Sequence, residues 1–380
     1  MPRIVILTEG KSTPDDAKTA TGLLRYRPGD VAAVLDSTRA GKTAGEVLGT
    51  GGDIPIVAKL GAVKADTLLI GIAPAGGKLP RPWRAVIREA IARGMDVVSG
   101  LHYFLNEDPE FAALAKKHRV RLTDVRQPPA GLTVSKDLAR NLRCHRVHTV
   151  GHDCSVGKMV ASLELANALG RRGRRAEFVA TGQTGIMISG WGVCVDRVIS
   201  DFVAGAIEAQ VLAHQDAEFL LVEGQGSLIH PLYSGVTLGL LHGCAPQTMV
   251  MVYDPTRKRI KHTEQTMPPL AEVIRLYEDM ASIMTPSKVA AVAANTYRLS
   301  QAEAEKAVRR TEDQLGIPVA DVIREGSDRL VDALLARHRE LGLERAGPAG
   351  KRRQGAAIRA APAARRASRA TAGKTARGAR

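Results

Sequence analysis

Short stretches rich in Val, Ile and Leu recur along the first third of the chain, at 4–7, 31–35, 54–57, 67–73, 96–99 and 121–124. Their length and β-branched content predict strands buried on both faces. Between them, apolar spacings of three and four predict helices over 43–48, 82–93 and 109–117. Strand and helix in alternation give a mostly parallel sheet covered on both sides, so the expected class is α/β. Pro128-Pro129 interrupts this rhythm and favours an extended connector. The pattern then resumes, with strands expected at 147–150, 176–180, 193–199, 219–222, 248–253 and 289–294. Helices are expected after residue 158, through Ala161, Leu163, Leu165 and Leu169, and over 301–315 and 327–341. The division expected is a domain over 1–130, a second over 131–342 and a tail over 343–380.

In the second domain, an apolar strand runs into Gly151-His-Asp153-Cys154-Ser155-Val156-Gly157-Lys158-Met159, and a helix follows. Strand, glycine loop and helix make a phosphate cradle, in which backbone N–H groups, the helix N-terminus and a lysine converge on an anion. Two departures stand out: five residues rather than four separate the glycines, and Met159 stands where Ser or Thr would hold Mg²⁺. They argue against Mg-dependent hydrolysis more than against phosphate binding. The plainer alternative is a glycine turn with Lys158 on a solvated first turn.

Three other stretches follow predicted strands and should converge on the same end of the sheet. They are Thr181-Gly-Gln183-Thr184-Gly185, the segment from Glu223 through Gln225 and Ser227 to His230, and Asp254-Pro-Thr-Arg257. An acid at a strand end, as at Glu223, is where P-loop folds place a water- or metal-orienting carboxylate; its plainer role is to cap neighbouring N–H groups. Arg257 offers a fork that fits phosphate or carboxylate, or it lies in a solvated basic turn. Asp153, inside an anion loop, needs a cation, amine or hydroxyl to face. Cys154 is read as a small packing residue before a nucleophile. Asp196 and Asp201 are candidates to pair with an amine or act as a base. In the first domain no G-x-G-x-x-G follows the first strand, so Asp36 is read as a strand-end cap rather than a ribose ligand. The loops 73–80 and 99–104 also follow strands, and either a cleft shared between the domains or simple packing accounts for them.

Composition narrows the setting. The formal charge is +15, but residues 346–380 hold ten Lys or Arg and no acid, which leaves +5 for the rest. That tail has almost no large apolar residue, so it is expected to be disordered. It is either a dispensable extension or a nonspecific nucleic-acid contact, with no aromatics interleaved for base stacking. No apolar run is long enough to span a bilayer, and no signal-peptide layout precedes the first strand. The four cysteines form no C-x-x-C pair, which speaks against a structural zinc site or a disulfide framework. A cytoplasmic homo-oligomer with no membrane partner and no metal is expected.

Taken together, Gly151-x-Asp153-Cys154-x-Val156-Gly157-Lys158-Met159, Thr181–Gly185, Glu223–Pro231 and Asp254–Arg257 resemble the DgcN-type D-glutamate N-acetyltransferases. In the first domain Gly71–Gly77, Asp96–His102 and Asp124-Val-Arg-x-Pro-Pro129 resemble them too, so the likeness spans about residues 1–340. The P-loop segment is also similar to dethiobiotin synthetase, which has Thr after the lysine. The resemblance implies a Rossmann-like N-terminal domain joined to a P-loop NTPase-like α/β domain. It implies transfer of acetyl from acetyl-CoA to the α-amino group of D-glutamate, a small-molecule amino-acid substrate, without ATP or Mg²⁺. On that reading Gly151, Ser155, Val156, Gly157, Lys158, Met159, Gln183 and Arg257 hold the cofactor, and Glu223, Asp153, Asp196 and His230 are the base candidates. The rival is an ATP-dependent ligase or kinase acting on a carboxylate; a third reading is a nucleotide sensor without chemistry.

Overall fold

The computed structural model describes residues 3–14, 16–72 and 77–344. The expectations for the tail fall almost wholly outside this range, as do those for 73–76. Two six-stranded sheets organise the described residues, and every strand pairing within them is parallel.

The first sheet comprises β1 (Ile4–Leu7), β2 (Val31–Leu35), β3 (Ile56–Val57), β4 (Thr67–Ile70), β5 (Asp96–Ser99) and β6 (Leu122–Asp124). Its order, β3-β2-β1-β4-β5-β6, is that of a Rossmann-like sheet. Four α-helices accompany it: α1 (Lys18–Tyr26), α2 (Ala44–Leu48), α3 (Trp83–Ala92) and α4 (Pro109–His118). The inner strands β1, β2 and β4 read as apolar runs without alternation because both faces are covered, and all of β1 is buried. Thr43 starts α2 with a reciprocal cap to Glu46. Asp36 is indeed a cap: it accepts from Gly10 N–H (3.0 Å), the Ser12 hydroxyl (2.5 Å) and Thr38 N–H (3.0 Å).

The second sheet comprises β7 (His145–Gly151), β8 (Ala176–Val179), β9 (Phe219–Val222), β10 (Thr248–Tyr253), β11 (Lys288–Ala294) and β12 (Val319–Ala320), in the order β12-β11-β10-β7-β9-β8. The helices are α5 (Lys158–Arg171), α6 (Gln183–Ser189), α7 (Val203–Ala213), α8 (Ser234–Cys244), α9 (Leu270–Ser282), α10 (Gln301–Leu315) and α11 (Asp328–Glu340). Connections from β7 leave toward either side, so the strand order reverses there. Ligands of open parallel sheets bind beyond the carboxyl ends of strands at such a point.

One expected strand does not form. Residues 193–199 contain only a short 3-10 turn, Val195–Arg197. Val193 and Val195 donate to the carbonyls of Ala180 and Thr181 at the end of β8, but Gly190 and Gly192 have positive φ just before them. The apolar side chains are explained by burial: Val193, Cys194 and Val195 are all within 2% of fully buried.

The domains meet along α1 and α6. A Cβ on Gly22 would lie 2.9 Å from the Thr184 methyl, so glycine sets how closely these helices approach. Around it, the Thr19 and Thr184 hydroxyls bond at 2.9 Å, Tyr26 donates to Glu164 at 2.9 Å, and Arg27 donates to the Met187 carbonyl at 2.8 Å. No helix among the described residues is long and apolar enough to cross a membrane.

Candidate functional site

The loop after β7 is built as a cradle and braced from two neighbouring strands. Ser155 and Gly157 have positive φ, 57° and 105°, which turn the chain into the first turn of α5. Lys158 opens that helix and folds back, its Nζ donating to the Asp153 carbonyl at 2.7 Å. After β11, Asn295 Nδ2 holds the Val156 carbonyl at 3.0 Å. After β10, Arg257 donates to Asp153 Oδ2 and to the Cys154 carbonyl at 2.8 and 2.9 Å, and the Lys261 amide donates to Asp153 Oδ2 at 2.8 Å. Beneath the loop, Tyr277 on α9 donates to the Gly151 carbonyl at 2.9 Å.

Asp153 therefore works inside the loop. Burial pushes its pKa up, but the Arg257 hydrogen bond and the Lys261 and Cys154 amides outweigh it, so it stays below the ordinary carboxylate value. Arg257, expected to grip ligand, spends one guanidinium nitrogen on this brace. Cys154 is half-buried, and burial with the neighbouring Asp153 raises its thiol pKa, the opposite of an activated nucleophile.

Glu223 follows β9, the strand beside β7. It is 4% exposed. Its Oε2 accepts from the amides of Thr181 (2.9 Å) and Gly182 (3.3 Å), and its Oε1 from Gln225 Nε2 (3.2 Å). Burial raises its pKa to about 7 against the opposing pull of those amides and of Lys158. Lys158 is also buried, and burial lowers its pKa to about 8 while Cys154, Asp153 and Glu223 pull the other way. The two strand-end loops are in contact: Gly224 N–H donates to Thr149 Oγ1 at 3.1 Å, and a Cβ there would lie 1.8 Å from the Thr149 carbonyl oxygen. Glycine at 224 is thus required for Glu223 to stand over the P-loop strand. That bond also occupies one of the backbone donors that the 224–227 segment offers.

His230 is fully buried between the same loops. Leu232 N–H donates to its Nδ1 at 3.2 Å, which puts the proton of the neutral ring on Nε2. Among the described residues that Nε2–H has no hydrogen-bond partner, and it lies 3.7 Å from Asp153 Oδ1. Donor atoms of Asp153, Cys154 and His230 lie within 4.8 Å of one another; with this tautomer His230 enters the group as a hydrogen-bond donor.

The remaining expected residues lie to the side. Met159 packs toward α1, its methyl 3.8 Å from where a Gly22 Cβ would be. Its place after the lysine serves domain packing. The Gln183 amide oxygen accepts from Arg126 of the first domain at 2.6 Å. Asp196 is exposed and also pairs with Arg126. Thr149, Asn295, Lys261 and Tyr277 were not singled out from sequence. Their contacts join residues 75 to 139 positions apart, from Thr149 with Gly224 to Asn295 with Val156, and no local pattern marks them.

A parallel sheet with a cradle at the reversal of strand order, next to a Rossmann-like sheet, defines a two-domain P-loop protein. Residues 133–331 match the family model described as "Domain of unknown function (DUF1611_C) P-loop domain", and residues 37–128 match its Rossmann-like N-terminal counterpart. The chain belongs to this DUF1611 family. A relative from Tritonibacter scottomollicae named D-glutamate N-acetyltransferase is 37% identical over 322 residues, covering 84% of this chain and 94% of the relative. Another of that name, from a Pseudoalteromonas species, is 38% identical over 276 residues, covering 72% and 82%. The crystal structure of a DUF1611 family protein from Anabaena variabilis superposes with a TM-score of 0.84 at 40% identity, covering 88% of this chain and all of that one.

Proposed function

We propose that this protein is a D-glutamate N-acetyltransferase that takes its acetyl group from acetyl-CoA. The observation that carries this reading is the likeness to the Tritonibacter enzyme of that name across 94% of its length. The geometry supports a division of labour consistent with it. Coenzyme A carries a pyrophosphate and a further phosphate, which suit the loop amides and Lys158. Holding a thioester by its phosphates needs no hydroxyl on Mg²⁺, and the thioether at Met159 is a poor partner for that cation.

Glu223 is the base this reading selects. Asp153 is committed to Arg257 and the Lys261 amide. Asp196 is exposed, its side chain 46% accessible, and His230 presents an N–H. Glu223 alone of the four is both buried and raised to about 7, near the working range for accepting a proton at neutral pH. In the proposed step Glu223 removes a proton from the substrate amine, whose nitrogen attacks the thioester carbonyl. The C–N bond forms, the C–S bond breaks, and coenzyme A leaves as a thiolate that then takes a proton. The developing oxyanion needs donors, and the His230 Nε2–H, without a partner among the described residues, is a candidate.

The test is mass spectrometry of products after incubation with acetyl-CoA and a panel of D- and L-amino acids. N-acetyl-D-glutamate as the dominant product supports the reading. Acetylation of other amino acids in preference, or of none, removes it.

A further inference from the structure

Arg126 stands outside the P-loop, yet its surroundings are those of a ligand anchor. It follows β6 in the first domain and crosses to the second. Its Nε donates to the Gly100 carbonyl at 2.6 Å, its Nη2 to Gln183 Oε1 at 2.6 Å, and its Nη1 to Asp196 Oδ2. The pair is lopsided: the Arg126 side chain is 8% exposed and the Asp196 side chain 46%. A buried guanidinium needs an anionic partner. Here that partner sits on the short 3-10 turn Val195–Arg197 with its side chain toward solvent.

The neighbourhood suits an anion with more than one charge. His102 Nε2 is 3.8 Å from the same Asp196 oxygen, and Arg126 and Arg197 both act on His102. Arg197 itself lies over Phe104, 5.0 Å from the ring centroid. Besides Asp196, the charged groups acting on His102 are Arg126 and Arg197. Glu223 is close by: Gly182, whose amide binds its carboxylate, immediately precedes Gln183, which binds Arg126. The buried Cys194 thiol, raised chiefly by burial, also feels Asp196, Arg126 and Glu223 together.

We infer that Arg126 binds a carboxylate of an amino-dicarboxylate substrate where the two domains meet, and that Asp196 occupies Arg126 until the substrate displaces it. Arg126 is then a specificity residue and Asp196 an internal competitor. The inference rests on the proposed function for the identity of the substrate, while the carboxylate chemistry stands on the geometry. A planar guanidinium with two parallel N–H groups is the side chain best matched to a carboxylate.

Calorimetry with glutarate, a dicarboxylate with no amine to acetylate, separates the two claims. Glutarate and D-glutamate are titrated into wild type, Arg126→Gln, Arg126→Lys and Asp196→Asn, with melting curves as the folding control. Arg126→Gln should weaken glutarate binding by roughly tenfold or more, the scale of a charge-assisted bidentate contact. Arg126→Lys keeps the charge without the fork and should fall between; it also decides the matter if the Gln variant does not fold. Asp196→Asn should tighten glutarate binding several-fold, which a merely structural ion pair does not predict. Glutarate binding that depends on Arg126 in a protein that does not acetylate D-glutamate would support this site and remove the proposed function. Absence of glutarate binding to wild type, or equal binding in all folded variants, overturns the inference.

Discussion

Thr181 and Glu223 are tied together twice across adjacent strands. The Thr181 amide donates to the Glu223 carboxylate and the Thr181 hydroxyl to the Glu223 carbonyl, each at 2.9 Å. The first bond aims the side chain and the second fixes the backbone that carries it. Thr181→Val keeps the shape and removes only the hydroxyl. It leaves a buried carbonyl short of a partner, so unfolding free energy should fall by about 1–3 kcal/mol. Turnover should drop more than affinity for acetyl-CoA, because the base is displaced while the cradle is untouched. Steady-state kinetics alongside chemical denaturation reads both.

The raised pKa of Glu223 makes stability depend on pH. Its carboxyl moves from 4.5 in the free side chain to about 7 in the fold, so between those values the folded state holds more protons than the unfolded one. Stability must then fall as pH rises through that window, by on the order of 3 kcal/mol in all. Glu223→Gln should remove this decline and melt higher than wild type at pH 8. In wild type kcat/KM should rise with pH through about 7, as the base ionises. The Gln variant should lose that limb together with most of its turnover. Melting curves from pH 4 to 9 and a pH–rate profile check the two signs independently.

Lys158→Ala removes the ammonium that reaches back to the Asp153 carbonyl within the cradle loop. Acetyl-CoA binding should weaken by about 1.5–3 kcal/mol, as for loss of a hydrogen bond to a charged group. Circular dichroism should be unchanged. Equal binding by calorimetry would take the P-loop out of the mechanism.

Arg257→Ala should act through the loop it braces. Asp153, with a fully buried side chain, would lose its charged partner. Breaking such a pair costs roughly 3–5 kcal/mol, and the partial exposure of Arg257 places this case at or below the lower end. The native Asp153 is held below its ordinary pKa, so its stabilising contribution is present at neutral pH and is lost as pH falls through the folded value. The variant's deficit should therefore shrink in acid, where Asp153 takes a proton. Melting temperatures of both proteins at pH 8 and in steps below pH 3.8, the ordinary carboxylate value under which the native Asp153 titrates, give the comparison.

Much of the fold was legible because its strands are covered on both faces and so read as unbroken apolar runs, as at Ile4–Leu7 and Phe219–Val222. The helix expected over 301–315 coincides with α10, which Ser300 and Glu303 cap reciprocally. What was missed has physical causes. Helices α7 and α8 pack against each other and carry apolar residues around most of their circumference, so no polar face marks them. The apolar residues at 193–195 looked like a strand because burial, not pairing, selects them. Of the site, the cradle and Glu223 were visible from glycine spacing and a strand-end acid. The bracing by Asn295, Lys261 and Tyr277, and the reach of Arg126 between domains, depend on the juxtaposition of distant segments.

The central claim is that the P-loop serves a thioester and that no γ-phosphate is spent. It is tested most directly by measuring N-acetyl-D-glutamate formation from acetyl-CoA and D-glutamate in EDTA without nucleotide, and again with ATP and Mg²⁺. The account predicts the same rate in both, with coenzyme A released in equal amount to product. Product that forms only with ATP and Mg²⁺, and disappears in EDTA, would contradict it and make the protein an ATP-dependent ligase.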